Sequence, residues 1–307
     1  MVITLPDEVN REFPQSQDAG RRGRPLRVRL PLPAKPSRVM IGRVPIDRMS
    51  MDEAVAWVVQ RLRNRKSMSP LLIMGPNAQL VTLAEANPRL GRALRSAHLN
   101  VPDGVSVVIA SRLLGSPIPE RVTGGELMER LCAESARLGF SVFFLGGLPG
   151  AATGAAIQLE RRYPGFRVTY CCCPPLGFEK MPLECSAIRR AITEAAPDLL
   201  CVAFGAPRQE IWMHENCPTL PIGAAISVGA AFDTCAGLRK RAPRWTHRVG
   251  LEWLYRLVRE PRRLWRRYLL GNPQFIVLVM RQKIRQVFQH LSASTSSKLV
   301  PISRDDR

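Results

Sequence analysis

Aromatic residues make up only 6% of this 307-residue chain, too few to lay a stacking platform for unpaired bases. The four histidines, His98, His214, His247 and His290, are scattered singly, and no two of the eight cysteines have CxxC spacing. A His/Cys metal site and a disulfide framework are therefore not expected, and the thiols read as small buried hydrophobes in a reducing compartment. Long apolar runs are missing too; Phe275–Met280 is far too short to cross a bilayer. Residues 1–36 are rich in Pro and Arg and have no apolar h-region, so a secretory signal is not expected. The chain reads as intracellular, with any membrane contact peripheral. Acidic residues are the last shortage. Asp and Glu number 25 against 45 Lys and Arg, a net charge of +20. Such an excess implies an anionic partner: nucleic acid, anionic lipid or a phosphorylated substrate.

What is present is ordinary for a soluble globular protein, with 46% hydrophobic and 23% charged residues and length for one or two domains. Six prolines break residues 1–36 into a disordered basic tail. The fold is expected to start with a short apolar strand, Val39–Gly42. Ser50 or Asp52 then caps a helix that carries Ala54, Val55, Val58, Val59 and Leu62 on one face. Leu71–Met74, Ser141–Leu145, Arg167–Tyr170, Leu199–Phe204 and Ala224–Ala231 read as strands. Helices are expected from Ala78, over Ala151–Arg161 and Ala187–Ala195, and from Ile211. This alternation predicts a Rossmann-like α/β fold, a mostly parallel sheet with helices on both faces, over residues 37–240.

Three loops of that domain draw attention. In Val101-Pro102-Asp103-Gly104 an aspartate is pinned between a proline and a glycine on a tight turn, before an apolar run that must be buried. Asp103 reads equally as an N-cap or Asx-turn aspartate or as a general base facing a cleft. Gly75-Pro76-Asn77 ends a strand before a helix, which makes Asn77 an N-cap or a ligand-edge residue. Gly146-Gly147-Leu148-Pro149-Gly150 lies between a strand and a helix, where backbone amides and the helix dipole can meet a phosphate. A purely structural tight turn is the competing reading. The run is not the GxGxxG fingerprint, which argues against a dehydrogenase.

After Gly237 the composition changes. Eleven arginines and lysines from Arg239 to Arg267 interleave with Leu254, Leu257, Val258, Trp265 and Tyr268 at helical spacing. That pattern fits a basic amphipathic helical appendage on a membrane surface, over residues 241–290, against the plainer reading of a packed helix with a solvated arginine face. A Ser-rich disordered tail, 291–307, is expected to follow.

Several segments in order then carry a resemblance. They are Pro102-Asp103-Gly104, Arg121-Val122-Thr123-Gly124, Phe144-Leu145-Gly146-Gly147, Tyr163-Pro164-Gly165, Gly205-Ala206-Pro207-Arg208-Gln209-Glu210 and the run from Arg241 to Arg263 that includes Gly250-Leu251-Glu252-Trp253. Over roughly residues 39–270 the chain resembles the WecG/TagA/CpsF family of bacterial glycosyltransferases (glycosyltransferase family 26). The resemblance implies an inverting, metal-independent transfer from a UDP-sugar to a saccharide on a polyprenyl diphosphate, in cell-surface or exopolysaccharide synthesis. It implies work at the inner face of the cytoplasmic membrane, with the appendage docked on anionic lipid, and no cofactor. Asp103 matches the general base and Gln209 a catalytic-site residue that contacts the sugars; Asn77 belongs to the same cleft. Arg121, Thr123, Gly146, Gly147 and Gly205 are expected to bind substrate, with Arg244, Arg256 and Arg263 of the appendage turned toward a diphosphate. The folded part has no DxD-type acidic pair to hold a metal, so amides and arginines must neutralise the leaving UDP.

One position departs from the pattern: members often carry Thr where this chain has Gly75. The donor stays open among UDP-N-acetylmannosamine, its uronic acid and UDP-glucose, and homo-oligomerisation stays open as well. The rival reading from another class, a basic nucleic-acid-binding protein, accounts for the charge but not for the glycine turns or Asp103.

Overall fold

The structure, a computed structural model, describes residues 36–64, 69–239, Tyr255 and 271–296. Arg244, Arg256 and Arg263, with most of the basic stretch, lie outside the described residues, as does the amino-terminal tail.

Six short strands form the central sheet: β3 (Leu71–Met74), β4 (Leu99–Asn100), β5 (Val142–Gly146), β6 (Val168–Cys172), β7 (Leu199–Ala203) and β8 (Ala224–Ser227). Their order is β4-β3-β8-β7-β5-β6, and every pairing is parallel. β3, β5, β7 and β8 are buried at every position, which is why they read in sequence as unbroken apolar runs rather than alternating ones. Alternate residues feed two cores. Leu72, Met74, Phe143 and Leu145 pack on one face, and Leu71, Ile73, Val142 and Phe144 on the other.

Helices cover both faces. The first core takes α2 (Ala78–Ala86), α3 (Pro88–Ser96), α7 (Pro182–Ala195) and α8 (Arg208–Asn216), and the second takes α1 (Met51–Arg63), α5 (Gly124–Leu138) and α6 (Ala151–Arg162). Local chemistry sets the starts: Ser50 and Glu53 form a reciprocal capping box on α1, and Asn87 caps α3 with Pro88 in its first turn. All eight cysteines are free. Burial pushes the Cys171 and Cys172 thiols up to about 12, far from a reactive thiolate.

Several expected boundaries move. The apolar segment expected as a strand from Val39 is one, one residue earlier and outside the main sheet. It is β1 (Arg38–Ile41), paired antiparallel with β2 (Val44–Asp47) in a separate hairpin. The run Ala224–Ala231 ends as strand at Ser227, turns at Gly229 (φ 57°) and enters the short helix α9 (Ala231–Cys235). An apolar run alone does not separate strand from buried helix. α7 starts at Pro182 and α8 at Arg208, each earlier than periodicity indicates. The helix after Asp103, α4 (Val105–Leu113), is only half-buried, with Ile109 and Leu113 exposed.

The last helix, α10 (Gly271–Ser296), is seated on the sheet domain. Phe275 and Val279 join the first core, and the Gln282 side chain binds both the Gly42 amide (2.8 Å) and the Met40 carbonyl (2.7 Å). Ile276, Val277, Met280, Ile284, Val287 and Phe288 remain exposed along it. No helix among the described residues is long and apolar enough to cross a membrane.

Candidate active site

Because all six strands run parallel, their carboxyl ends share one edge, the place where open α/β sheets bind ligands. Along it the loops follow the strand order: Asp103 after β4, Asn77 after β3, Gly229 after β8, Gly205 after β7 and Gly147 after β5. Four strand spacings separate the first loop from the last, about 19 Å.

The Asp103 turn is locked from below and from both sides. β4 is held by the hairpin: buried Asp47 takes the Asn100 amide at 2.6 Å and a fork of bonds from Arg38 at 2.7 and 3.1 Å. The Val101 amide binds Met74 O, the Asp103 amide binds Pro76 O, and Pro102 O accepts the Val122 amide. Gly104, with φ 150°, and not Asp103, is the N-cap of α4, and as glycine it brings no capping side chain. The N-cap reading of Asp103 therefore falls away. Its half-buried carboxylate is set instead against the loop after β3: a β-carbon placed on Gly75 would lie 3.2 Å from Asp103 Oδ2.

Asn77 is an N-cap in fact, its Oδ1 accepting the Leu80 amide at 3.1 Å. The same loop packs on the Asp103 turn, a β-carbon on Gly104 being 3.5 Å from Asn77 Cβ. Arg121 and Thr123 stand at the start of α5. Thr123 Oγ1 accepts the Glu126 amide (3.1 Å), and Arg121 lies 3.6 Å from the Glu126 carboxylate. α5 closes on β8 so tightly that a β-carbon on Gly124 would stand 2.4 Å from Ser227 O, so only glycine fits there.

Gln209 is buried, and its amide is engaged with the loops. Oε1 accepts the amides of Gly205 and Gly229, each at 3.2 Å, and Nε2 donates to Glu210 Oε1 at 2.8 Å. Gln209 thereby ties the ends of β7 and β8 together. Two residues that sequence reasoning passed over complete this floor. Ser227 Oγ accepts the Gly75 amide at 3.3 Å, and Glu210 is fully buried beside Gln209. Glu210 was visible as part of the Gly205–Glu210 segment, but an acidic residue in a first helical turn ordinarily signals only the helix dipole.

At the far end, Gly146 has φ 100° and its β-carbon would sit 2.8 Å from Ala203 O. The Gly147 amide already donates to Ala203 O and the Leu148 amide to Asp233 Oδ1, both at 3.0 Å. Asp233 in turn pairs with Arg239 at 3.1 Å. Close approach thus accounts for both glycines without a ligand, and one amide of the turn faces a carboxylate. An anion here has left to it the start of α6, whose N-cap is Gly150. Among the described residues no three His, Cys, Asp or Glu side chains gather in a metal-binding group.

The structure therefore gathers Asn77, Asp103, Arg121, Thr123, Gly205 and Gln209 along one stretch of the sheet edge, with Gly146 and Gly147 farther along it. Comparison with known proteins agrees in extent. Residues 39–289 match the Glycosyl transferase WecG/TagA/CpsF family. The chain is 30% identical over 226 residues to the N-acetylglucosaminyldiphosphoundecaprenol N-acetyl-beta-D-mannosaminyltransferase of Bacillus spizizenii, covering 74% of this chain and 85% of that protein. It is 29% identical over 191 residues to the protein of the same name from Bacillus subtilis, covering 62% and 71%. The chain belongs to the WecG/TagA/CpsF family of glycosyltransferases.

Proposed function

We propose that the protein transfers a hexose-type sugar from a UDP-sugar to a saccharide carried on a polyprenyl diphosphate. The relatives' names make N-acetylmannosamine the first donor sugar to test and N-acetylglucosaminyl-diphosphoundecaprenol the first acceptor. The observation that carries the reading is Asp103: a half-buried carboxylate at the carboxyl edge of a parallel sheet, not the N-cap residue of the helix that follows, on a turn locked to its neighbours.

In this scheme Asp103 takes the proton of the acceptor hydroxyl. The hydroxyl oxygen forms a bond to the anomeric carbon from the face opposite the phosphate, the carbon–oxygen bond to UDP breaks, and configuration inverts. The sugar sits near Asp103, Asn77 and Gly205, over the floor anchored by Gln209. The diphosphate is met by Arg121 and the α5 start with Thr123, and by Arg244, Arg256 and Arg263 of the stretch outside the described residues. The nucleotide runs toward Gly146 and Gly147. Charge on the leaving group is met by cations and amides rather than a metal, in keeping with the missing acidic pair.

The +20 chain and the exposed apolar side of α10 support attachment to an anionic membrane surface, where the lipid acceptor resides. The test is a panel of UDP-N-acetylmannosamine, its uronic acid and UDP-glucose with a polyprenyl-diphosphate-linked N-acetylglucosamine acceptor. Turnover with one of these donors and inverted product supports the proposal. Hydrolysis only, or retention of configuration, sinks it.

A further inference from the structure

Beneath Asp103 lies a second carboxyl. Glu210 stands in the first turn of α8 and is fully buried. Its Oε1 accepts the Gln209 amide at 2.8 Å, and its Oε2 is buried with no hydrogen-bond partner among the described residues. The Ser227 hydroxyl interacts with Glu210 and accepts the Gly75 amide at 3.3 Å. Gly75 is the residue whose β-carbon would touch Asp103. Hydrogen bonding thus links Ser227, which interacts with Glu210, to Gly75, and the space a side chain would take on Gly75 adjoins the Asp103 carboxylate. An enclosed carboxyl with one oxygen unsatisfied is costly to keep for packing alone, since a glutamine or an apolar side chain fills such a place at lower cost.

We infer that Glu210 is a positioning residue for Asp103, an enclosed carboxyl whose charge state sets how strongly Asp103 draws a proton. The inference rests on Asp103 being the base. The surroundings of Glu210 bring few other charges to it. β3, β7 and β8, which pack on α8, carry no charged side chain. On α3, Arg92 and Arg95 are exposed and Arg89 pairs with Glu215 at 2.8 Å. On α8 itself, Arg208 pairs with Glu179 at 2.6 Å and His214 with Ser96. Among described residues, Asp103 is the charge that acts on Glu210.

Burial pushes the Glu210 carboxyl up to about 7 and the Asp103 charge adds a little to this, while the Gln209 amide, the backbone amide of Glu210 itself and the Ser227 hydroxyl oppose it. Coupling of two carboxylates is mutual, so charge on either raises the proton affinity of the other. At lower pH Glu210 is neutral and Asp103 works without that neighbouring charge. Once Glu210 ionises, Asp103 becomes the stronger base and transfer speeds up.

The wild-type turnover rate is therefore expected to rise roughly 3- to 10-fold through about pH 7, and Glu210→Gln is expected to lose that step. A flat wild-type profile, or a step that survives in Glu210→Gln, overturns the inference. A residue acting only through packing would scale the rate equally at every pH. A second measurement needs no turnover: carboxyl carbon NMR of the glutamate-labelled full chain follows Glu210 directly. Its midpoint should fall in Asp103→Asn, which removes the neighbouring charge, and rise in Ser227→Ala, which removes a stabilising hydroxyl. An unmoved midpoint in Asp103→Asn also overturns the inference, even if Glu210→Gln does not fold. The two readings fail differently. Full turnover in Asp103→Asn removes the base and this inference with it, whereas an inactive Asp103→Asn with an unmoved Glu210 removes only the role of Glu210.

Discussion

A β-carbon on Gly75 would stand 3.2 Å from both Cβ and Oδ2 of Asp103, closer than nearly all real contacts of that kind. Gly75 is not among the glycines with positive φ, so its backbone admits other residues. What it lacks is room. The position where the family often carries Thr is, in this chain, the wall against which the proposed base rests.

Gly75→Ala should therefore keep its fold and lose rate. Displacing Asp103 by a few tenths of an ångström from a near-attack geometry should lower kcat by about 10-fold with little change in KM. Steady-state kinetics beside a thermal melt check this. Wild-type kcat in a folded Gly75→Ala would show that the placement of Asp103 is not critical.

Asp103→Asn preserves shape and removes basicity. Turnover should fall by about 10²–10⁴-fold, with the far-ultraviolet circular dichroism unchanged because the turn is held by backbone bonds to Pro76 and Val122. Rates near those of the wild type would end the assignment of the base.

Glu210 also makes stability depend on pH. Its proton affinity in the folded chain is raised from 4.5 to about 7 by burial. Its contribution is present in full below about pH 4.5 and is lost as pH rises toward 7, because only the folded state holds the proton in that window. Glu210→Gln carries no such term. Relative to wild type, the variant should gain on the order of 3 kcal/mol between about pH 4.5 and 7, read from urea midpoints. An equal difference at the two ends would mean that Glu210 titrates normally.

Attachment to lipid can be probed without cutting the chain. Removing α10 would take Phe275 and Val279 out of the core, so truncation mixes folding with binding. Met280 and Ile284 are 48% and 50% exposed. Replacing both with Glu should leave the melting temperature unchanged and weaken co-sedimentation with anionic liposomes by several-fold. Binding of the wild type should also weaken as salt rises, since exposed charges are screened over about 10 Å at 0.1 M. Unchanged liposome binding by the double variant, or retention on DNA in place of liposomes, would move the anionic partner elsewhere.

Chelation tests the handling of the leaving group. Turnover should persist in EDTA, with arginines and amides meeting the diphosphate. Loss in EDTA and recovery with Mg²⁺ or Mn²⁺ would give that task to a metal.

The sequence by itself determined the alternation of strands and helices, because a strand buried on both faces must be an unbroken apolar run and a helix start must satisfy its orphan amides. Hence Leu71–Met74 and, to within a residue, the strand read at Ser141–Leu145 were legible in advance, with Ser50 and Asn77 among the cap candidates. So was the turn at Asp103, since Pro and Gly restrict the backbone locally. Only the tertiary structure decided the strand order that inserts β8 between β3 and β7. That order joins Gly75 to Ser227 across 152 residues and Leu148 to Asp233 across 85. It likewise decided that the amides of Gly147 and Leu148 are already engaged, that the segment at residue 39 belongs to a separate hairpin, and that a buried glutamate lies beneath the proposed base. Periodicity and propensity act over one turn of chain, whereas these contacts depend on which distant carbonyls and carboxylates packing brings within about 3 Å of a donor.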